Sequence, residues 1–236
     1  MFNQLSALVR FFLIDYRFSV LIFWAIFTFS LIPLTVLSTY TNGSVIISVA
    51  IAIFIYSGIS GFILIKETFS YTIRLGSSRQ QYMLSAFTFS ALLAVIMAAI
   101  SIAVTFTYTN LVATVWNNVQ FMHISEAITG EFSWFAEFGL LTLFCFMVFN
   151  FGFFLAAAFH RFGLVGGLGL LAVLVITLLI EPLRTPVIEF FISDVRIGAP
   201  VMFDLNYWAF PVTAIVLAAF VYIIFKNASI HPGAVR

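Results

Sequence analysis

Residues 18–65 read FSVLIFWAIFTFSLIPLTVLSTYTNGSVIISVAIAIFIYSGISGFILI, 48 positions between Arg17 and Lys66 without one charged side chain. A helix needs about 20 apolar residues to cross the hydrocarbon core of a bilayer. The stretch therefore predicts two membrane-spanning helices, joined by a turn at Thr39-Tyr40-Thr41-Asn42-Gly43-Ser44. The rest of the chain continues the pattern. Of its 236 residues, 63% are hydrophobic and 8% charged, mean hydropathy is +1.16, and 31 residues are Phe. Soluble domains average about 25% charged residues, so too little polar surface is available to face water. No polar block is long enough to fold separately, and the chain reads as a single transmembrane domain over 1–236.

Spans are predicted near 18–39, 45–65, 83–108, 138–159, 162–180 and 206–225, giving an all-α fold with six transmembrane helices. The runs lack the inside-outside alternation of a barrel and exceed the roughly 10 residues of a membrane strand. Six crossings put both termini on one side. Arg10, Arg17, Lys66, Arg74, Arg79, Arg161, Lys226 and Arg236 fall on that side, whereas only Arg184 and Arg196 fall on the other. The positive-inside rule then places both termini in the cytoplasm of a cell that carries this chain in its plasma membrane. Trp116, Trp134 and Trp208 stand near span ends as interfacial aromatics do, and Trp24 fits that role least. Residues 2–16 predict an interfacial helix lying on the membrane, because Asn3, Ser6, Arg10 and Arg17 form one polar stripe at helical spacing.

The segment 66–82, KETFSYTIRLGSSRQQY, is the one substantial cytoplasmic loop between spans. Glu67 to Leu75 predicts a short helix presenting Phe69 and Ile73 on one face. Gly76 suits a left-handed C-terminal cap, and Ser78 with Gln81 forms a capping box for the third span. Such a helix can dock into a groove of a cytoplasmic partner, with Arg74 and Arg79 setting its orientation. The plain reading is a hairpin loop whose arginines only satisfy the charge rule.

This layout resembles the membrane subunit of an ABC-2 type ABC transporter, of the small kind common in Gram-positive bacteria. The likeness is carried by the amphipathic leading helix, two spans, the stretch Leu75-Gly76-Ser77-Ser78-Arg79-Gln80-Gln81-Tyr82, and four further spans. It implies that 66–82 is a coupling helix, with Glu67, Phe69, Ile73, Arg74 and Arg79 contacting a cytoplasmic ABC ATPase that binds ATP and Mg. It also implies a dimer with a second copy or a related permease, and a re-entrant extracellular segment at 181–205 before span six. The stretch at 110–135 is longer than that plan requires. In 181–205, Thr185 as N-cap and Pro186 at the first helical position predict a helix over Val187–Ile192, stopped by Gly198-Ala199-Pro200. Insertion into the bilayer and a surface-lying course both fit these residues.

Other chemistry is sparse. No phosphate-binding Gly-rich loop and no cluster with metal-ligand spacing occurs, so no cofactor or metal is expected on this chain. Nothing in the charge distribution suits nucleic acid. Gly58-Ile59-Ser60-Gly61 matches the Gly-x-Ser-Gly of rhomboid proteases with His160 as an imaginable base, but small residues in membrane helices more often mark close packing. Gly163 and Gly167 form a Gly-x-x-x-Gly pair read as helix packing, and Asn150 is read as an interhelical hydrogen bond. Pro33 and Pro211 are candidate gating bends. The main competing class is an ATP-independent membrane carrier or channel, and the absence of an ionisable group central in any span disfavours an ion-coupled carrier. Phe-rich spans without buried charge suit export of an apolar or amphipathic cargo such as a peptide or lipid.

Overall fold

A computed structural model describes residues 2–41, 45–111, 119–196 and 202–226. Residues 42–44 of the turn expected over 39–44, Trp116 and the stop at Gly198–Pro200 lie outside them, while Thr39–Thr41 end the first helix. The described chain is mostly helical, with five helices long and apolar enough to cross a membrane.

Helix α1 runs from Phe2 to Thr41 without interruption. The leading segment is therefore not a separate interfacial helix. No Gly or Pro stands near Tyr16-Arg17-Phe18 to end it, and Val9, Phe12, Tyr16, Val20 and Trp24 form one continuous buried stripe through the expected junction. Trp24 belongs to this packed face, between Phe23 and Phe27. Pro33 lies inside α1 and gives up one backbone hydrogen bond, yet the helix continues through it.

The second span is α2 (Val49–Leu64). It starts four residues later than expected because Val45–Ile47 is a short strand, β1, paired in parallel with β2 (Val119–Phe121). At its far end α2 passes through a π-turn, Ile65–Phe69, directly into α3 (Ser70–Arg74). Helix α4 (Arg79–Leu111) is the third span, and α5 (Ile124–Thr129) is a short outlying helix. Helix α6 (Trp134–Leu179) combines the fourth and fifth expected spans, broken only at Gly163, where φ is +70°. A left-handed residue is costly for anything but Gly. The bend is sharp: a Cβ on Gly167 would meet the Phe159 ring, and one on Gly166 would meet Phe162. Gly163 thus breaks the helix, and Gly167 lets the bend close on the Phe159 ring.

After α6 come α7 (Glu181–Phe191) and an antiparallel hairpin of β3 (Ile192–Arg196) and β4 (Met202–Leu205). The helix starts at Glu181, not after Thr185, because Ile180 is extended and Pro182 occupies the first turn; the Thr185 hydroxyl bonds back to the Glu181 carbonyl from inside the helix. The last span, α8 (Ala209–Lys226), has Pro211 in its first turn. No intrahelical donor is required there, so Pro211 starts the helix and does not bend it.

The core is an aromatic cluster around α6, which packs against α2, α4 and α8. The tightest contact is between α2 and α6. A Cβ on Gly61 would lie 2.1 Å from the Phe149 carbonyl oxygen, and one on Gly152 would lie 2.0 Å from that of Gly58. In lipid, helix association depends on such van der Waals packing rather than on hydrophobic burial. Asn150 adds an interhelical hydrogen bond to Ser90 Oγ (3.2 Å) and one to the Phe146 carbonyl (2.8 Å).

Placing a side chain at this crossing should cost about 1–3 kcal/mol through overpacking. Gly61→Val and Gly152→Val are expected to lower the thermal unfolding midpoint in mild detergent. Gly139→Ala and Gly169→Ala, where an added Cβ meets nothing within 4 Å, should leave it unchanged.

Candidate functional site

One end of the bundle collects the basic residues. The first turns of α1, the tip between α3 and α4, the bend of α6 and the last turn of α8 all meet there. The tip is built by two local signals in series. Gly76 is left-handed at φ +91° and donates its N–H to Ile73 O (3.0 Å), while Ser77 N–H reaches Thr72 O (3.2 Å). That is the Schellman pattern that closes a helix. Two residues on, Ser78 Oγ accepts from Gln81 N–H (3.2 Å) and Gln81 Oε1 accepts from Ser78 N–H (3.0 Å), completing the capping box that opens α4.

The side chains expected to meet a partner separate into two groups. Phe69 is fully buried, its ring 5.3 Å from Tyr82, 4.3 Å from Phe225 and 5.2 Å from His160. Ile73 is half-buried against the same cluster. Neither forms a free docking face, because α3 continues α2 and turns that side inward. Thr68 Oγ1 and Tyr82 Oη both reach the Leu64 carbonyl, at 2.6 and 3.1 Å, and bind the π-turn to α4. Glu67 and Arg74 are exposed, and so are Lys66, Tyr71 and Leu75, which sequence reading did not single out. These five share one side of the helix end at spacings of three and four residues.

Beside that stripe lies a groove of about 300 Å³, with Gln4, Leu8 and Phe11 of α1 on one wall and Tyr71, Leu75 and Gly76 on the other. Its two walls are joined by a stacked Phe11–Tyr71 pair at 6.0 Å and by a Gln81 Nε2 to Gln4 Oε1 hydrogen bond of 2.6 Å. The lining mixes apolar side chains, Leu8, Phe11 and Leu75, with polar ones, Gln4, Thr72 and Ser77.

Arg79 has a different role from the one expected. Its Nη1 donates to the carbonyls of Phe225 (2.7 Å) and Lys226 (2.6 Å). Arg161 Nη1 donates to those of Ile223 (3.2 Å) and Ile224 (2.6 Å). The last four carbonyls of any α-helix lack intrahelical partners and carry the negative end of its dipole. Two guanidinium groups donate to the last four described carbonyls of α8. Sequence reading counted Arg161 only as a basic residue; its proximity to α8 has no local signal.

Ser60 and His160 do not assemble a catalytic pair. Both ring nitrogens of His160 are buried without a hydrogen-bond partner, and its ring packs between Phe69 and Phe225. The Ser60 carbonyl accepts the Tyr16 hydroxyl at 2.8 Å. The Gly-x-Ser-Gly stretch is the small-residue face by which α2 meets α6.

At the opposite end, Glu137 is buried and accepts N–H bonds from Ile124 (3.2 Å) and Ser125 (2.7 Å), capping α5, with His123 Nδ1 4.0 Å away. This acid also went unnoticed in the sequence, where it reads as one more outer-face charge. Compared with known protein families, curated proteins and solved structures, the chain matches none.

Removing either clamp arginine should fray α8 locally. Arg79→Gln or Arg161→Gln is expected to cost about 1–2 kcal/mol, the scale of a charge-assisted cap at a partly exposed helix end. Hydrogen exchange should rise in the peptide containing residues 221–226 and stay unchanged in α2. Equal exchange in mutant and parent would contradict the clamp.

Proposed function

We propose that this chain is the membrane subunit of an ATP-driven exporter of the ABC-2 type, moving an apolar or amphipathic cargo across the cell membrane. In this reading a separate cytoplasmic ABC ATPase binds ATP and Mg and docks on the basic end. A second copy, or a related permease, completes the transporter. The observation that carries the reading is the rigidly capped tip at 75–78, which projects Arg74 and Leu75 beside the α1 groove. A loop serving only the charge rule has no need for a Schellman cap, a capping box and a buried Phe69 to hold it in one position.

The contacts are revised accordingly. Glu67 and Arg74, with Tyr71 and Leu75, are the partner-facing side chains. Phe69, Ile73 and Arg79 are positioning residues that tie the tip to α6 and α8, so that a push on the tip is transmitted to the last span. Pro33 is retained as a bend within α1; Pro211 is not.

Six crossings with both termini in the cytoplasm fit the described contacts. Arg161 touches the last turn of α8, whereas Asn206, just ahead of its first turn, holds the end of α7. In this reading the chain travels the length of α8 between them, and the residues after Gly163 are the fifth crossing. A crevice of about 620 Å³ between α1 and α4, lined by Ala25, Phe29, Ile32, Ala103 and Val104, opens sideways and suits an apolar cargo.

Affinity purification of the tagged chain from its native membrane, in mild detergent, tests the reading. Stoichiometric recovery of an ATPase is expected, reduced at least roughly tenfold by Arg74→Glu, since reversing a charge at an interface costs more than 1.4 kcal/mol. Phe69→Ala should instead lower the stability of the chain itself. Recovery of a clean chain without any nucleotide-binding partner, in detergent and in native nanodiscs alike, would overturn the proposal.

A further inference from the structure

Helix α7 stands apart from the rest of the molecule. It has no buried residue, although it carries Leu183, Val187, Ile188, Phe190 and Phe191. At 100° per residue, Pro182, Leu183, Pro186, Val187 and Phe190 occupy one arc. Glu181, Arg184, Thr185 and Glu189 occupy the opposite arc, with Ile188 among them. Such a helix is neither a core helix nor a crossing.

Both of its ends adjoin the ends of long apolar helices. Its start follows Leu179, the last residue of α6, after the single extended residue Ile180. Its end is held at the beginning of α8, where Asn206 donates its backbone N–H to Phe191 O (2.9 Å) and its Nδ2 to Phe190 O (3.3 Å). The Phe191 ring lies 5.3 Å from Phe210. Eleven residues span about 16 Å, roughly half the hydrocarbon thickness. The helix therefore runs from the end of one membrane helix to the beginning of the next.

We infer that α7 lies flat in the membrane–water interface at the acidic end of the molecule, with Leu183, Val187 and Phe190 in lipid and Glu181, Arg184 and Glu189 toward water. Three observations select lipid as the occupant of its apolar face. Residues 164–179, directly before it, are apolar and exposed over most of the helix circumference, with Val165, Leu168, Val173 and Leu179 each more than half exposed and only a stripe through Gly167, Leu170, Leu174 and Thr177 turned toward protein, as on a helix that faces lipid at the edge of a bundle. The α7 face is continuous with that surface through Leu179 and Ile180. Tyr207 and Trp208, exposed just ahead of α8, mark the interfacial level where amphipathic rings settle. A re-entrant course would carry three charged side chains into hydrocarbon, and among the described residues none of them has an ion-pair partner. This inference needs only a membrane-inserted chain and is independent of the ATPase partner.

The test is a single-cysteine series through α7 in a Cys145→Ser background of the full chain, reconstituted in phosphatidylglycerol and phosphatidylcholine liposomes and labelled with a membrane-impermeant maleimide. Arg184→Cys, Thr185→Cys and Glu189→Cys are expected to react fast. Leu183→Cys, Val187→Cys and Phe190→Cys should react slower by roughly tenfold or more, as for a helix half-sunk in the interface. Spin labels at the slow positions should collide with oxygen more than with a nickel chelate. Uniform slow labelling, the mark of a re-entrant segment, would overturn the inference, and so would uniform fast labelling. Disulfide cross-linking of Leu183→Cys to itself between copies would overturn it in favour of a dimer face.

Discussion

The backbone contact between α2 and α6 at Gly58, Gly61 and Gly152 is the constraint on which the other features depend. With no Cβ at Gly61 and Gly152 the two helices approach until carbonyl oxygens occupy the space a side chain would need. Lipid offers helices little reason to associate beyond surface fit and internal hydrogen bonds, so a close crossing is worth more here than further apolar residues. It sets the line of α6. From that line Asn150 reaches Ser90 on α4, Phe149 and Phe153 enter the aromatic core, and Arg161 arrives at the last turn of α8.

The second requirement is that a membrane helix leave no backbone polar group without a partner near hydrocarbon. The last four described carbonyls of α8 belong to Ile223, Ile224, Phe225 and Lys226, with Lys226 the basic residue of that turn. The fold answers from elsewhere in the chain, with Arg79 at the start of α4 and Arg161 just before the α6 bend. The same clamp connects three features: the capped tip, the Gly163 break and the final span. A displacement of the tip has a short, hydrogen-bonded route to α8, and Phe69, packed on Phe225, provides a parallel route through the core.

Much of the local structure was legible in the residues because its causes are local. Gly76 as a left-handed cap and Ser78 with Gln81 as a box follow from neighbours within three to five positions. The apolar runs follow from the solvent. What escaped reading depends on contacts distant in sequence or on letters with two physical uses. Arg79 and Arg161 carry the same charge whether they face water or a helix end far along the chain. Gly163 and Gly167 spell a packing pair, but φ +70° makes the first a break. Phe69 at helical spacing looks alike as a docking knob and as core, and only the continuation of α2 through a π-turn turns it inward. The polar stripe on residues 3–17 suggested a helix lying flat, whereas the absence of any breaking residue let α1 run on unbroken. Short parallel pairing between Val45–Ile47 and Val119–Phe121 has no signature in either segment.

The measurement that addresses the central claim most directly is photo-cross-linking from position 71 in the native membrane, with Tyr71→benzoylphenylalanine introduced into the full chain. Tyr71 is exposed at the wall of the groove, on the same side of the tip as Glu67 and Arg74. A cross-link to a nucleotide-binding ATPase, lost on competition with Arg74→Glu in the same chain, is the predicted result. Cross-links to lipid or to other membrane chains alone, with the folded protein present at normal levels, would contradict the account.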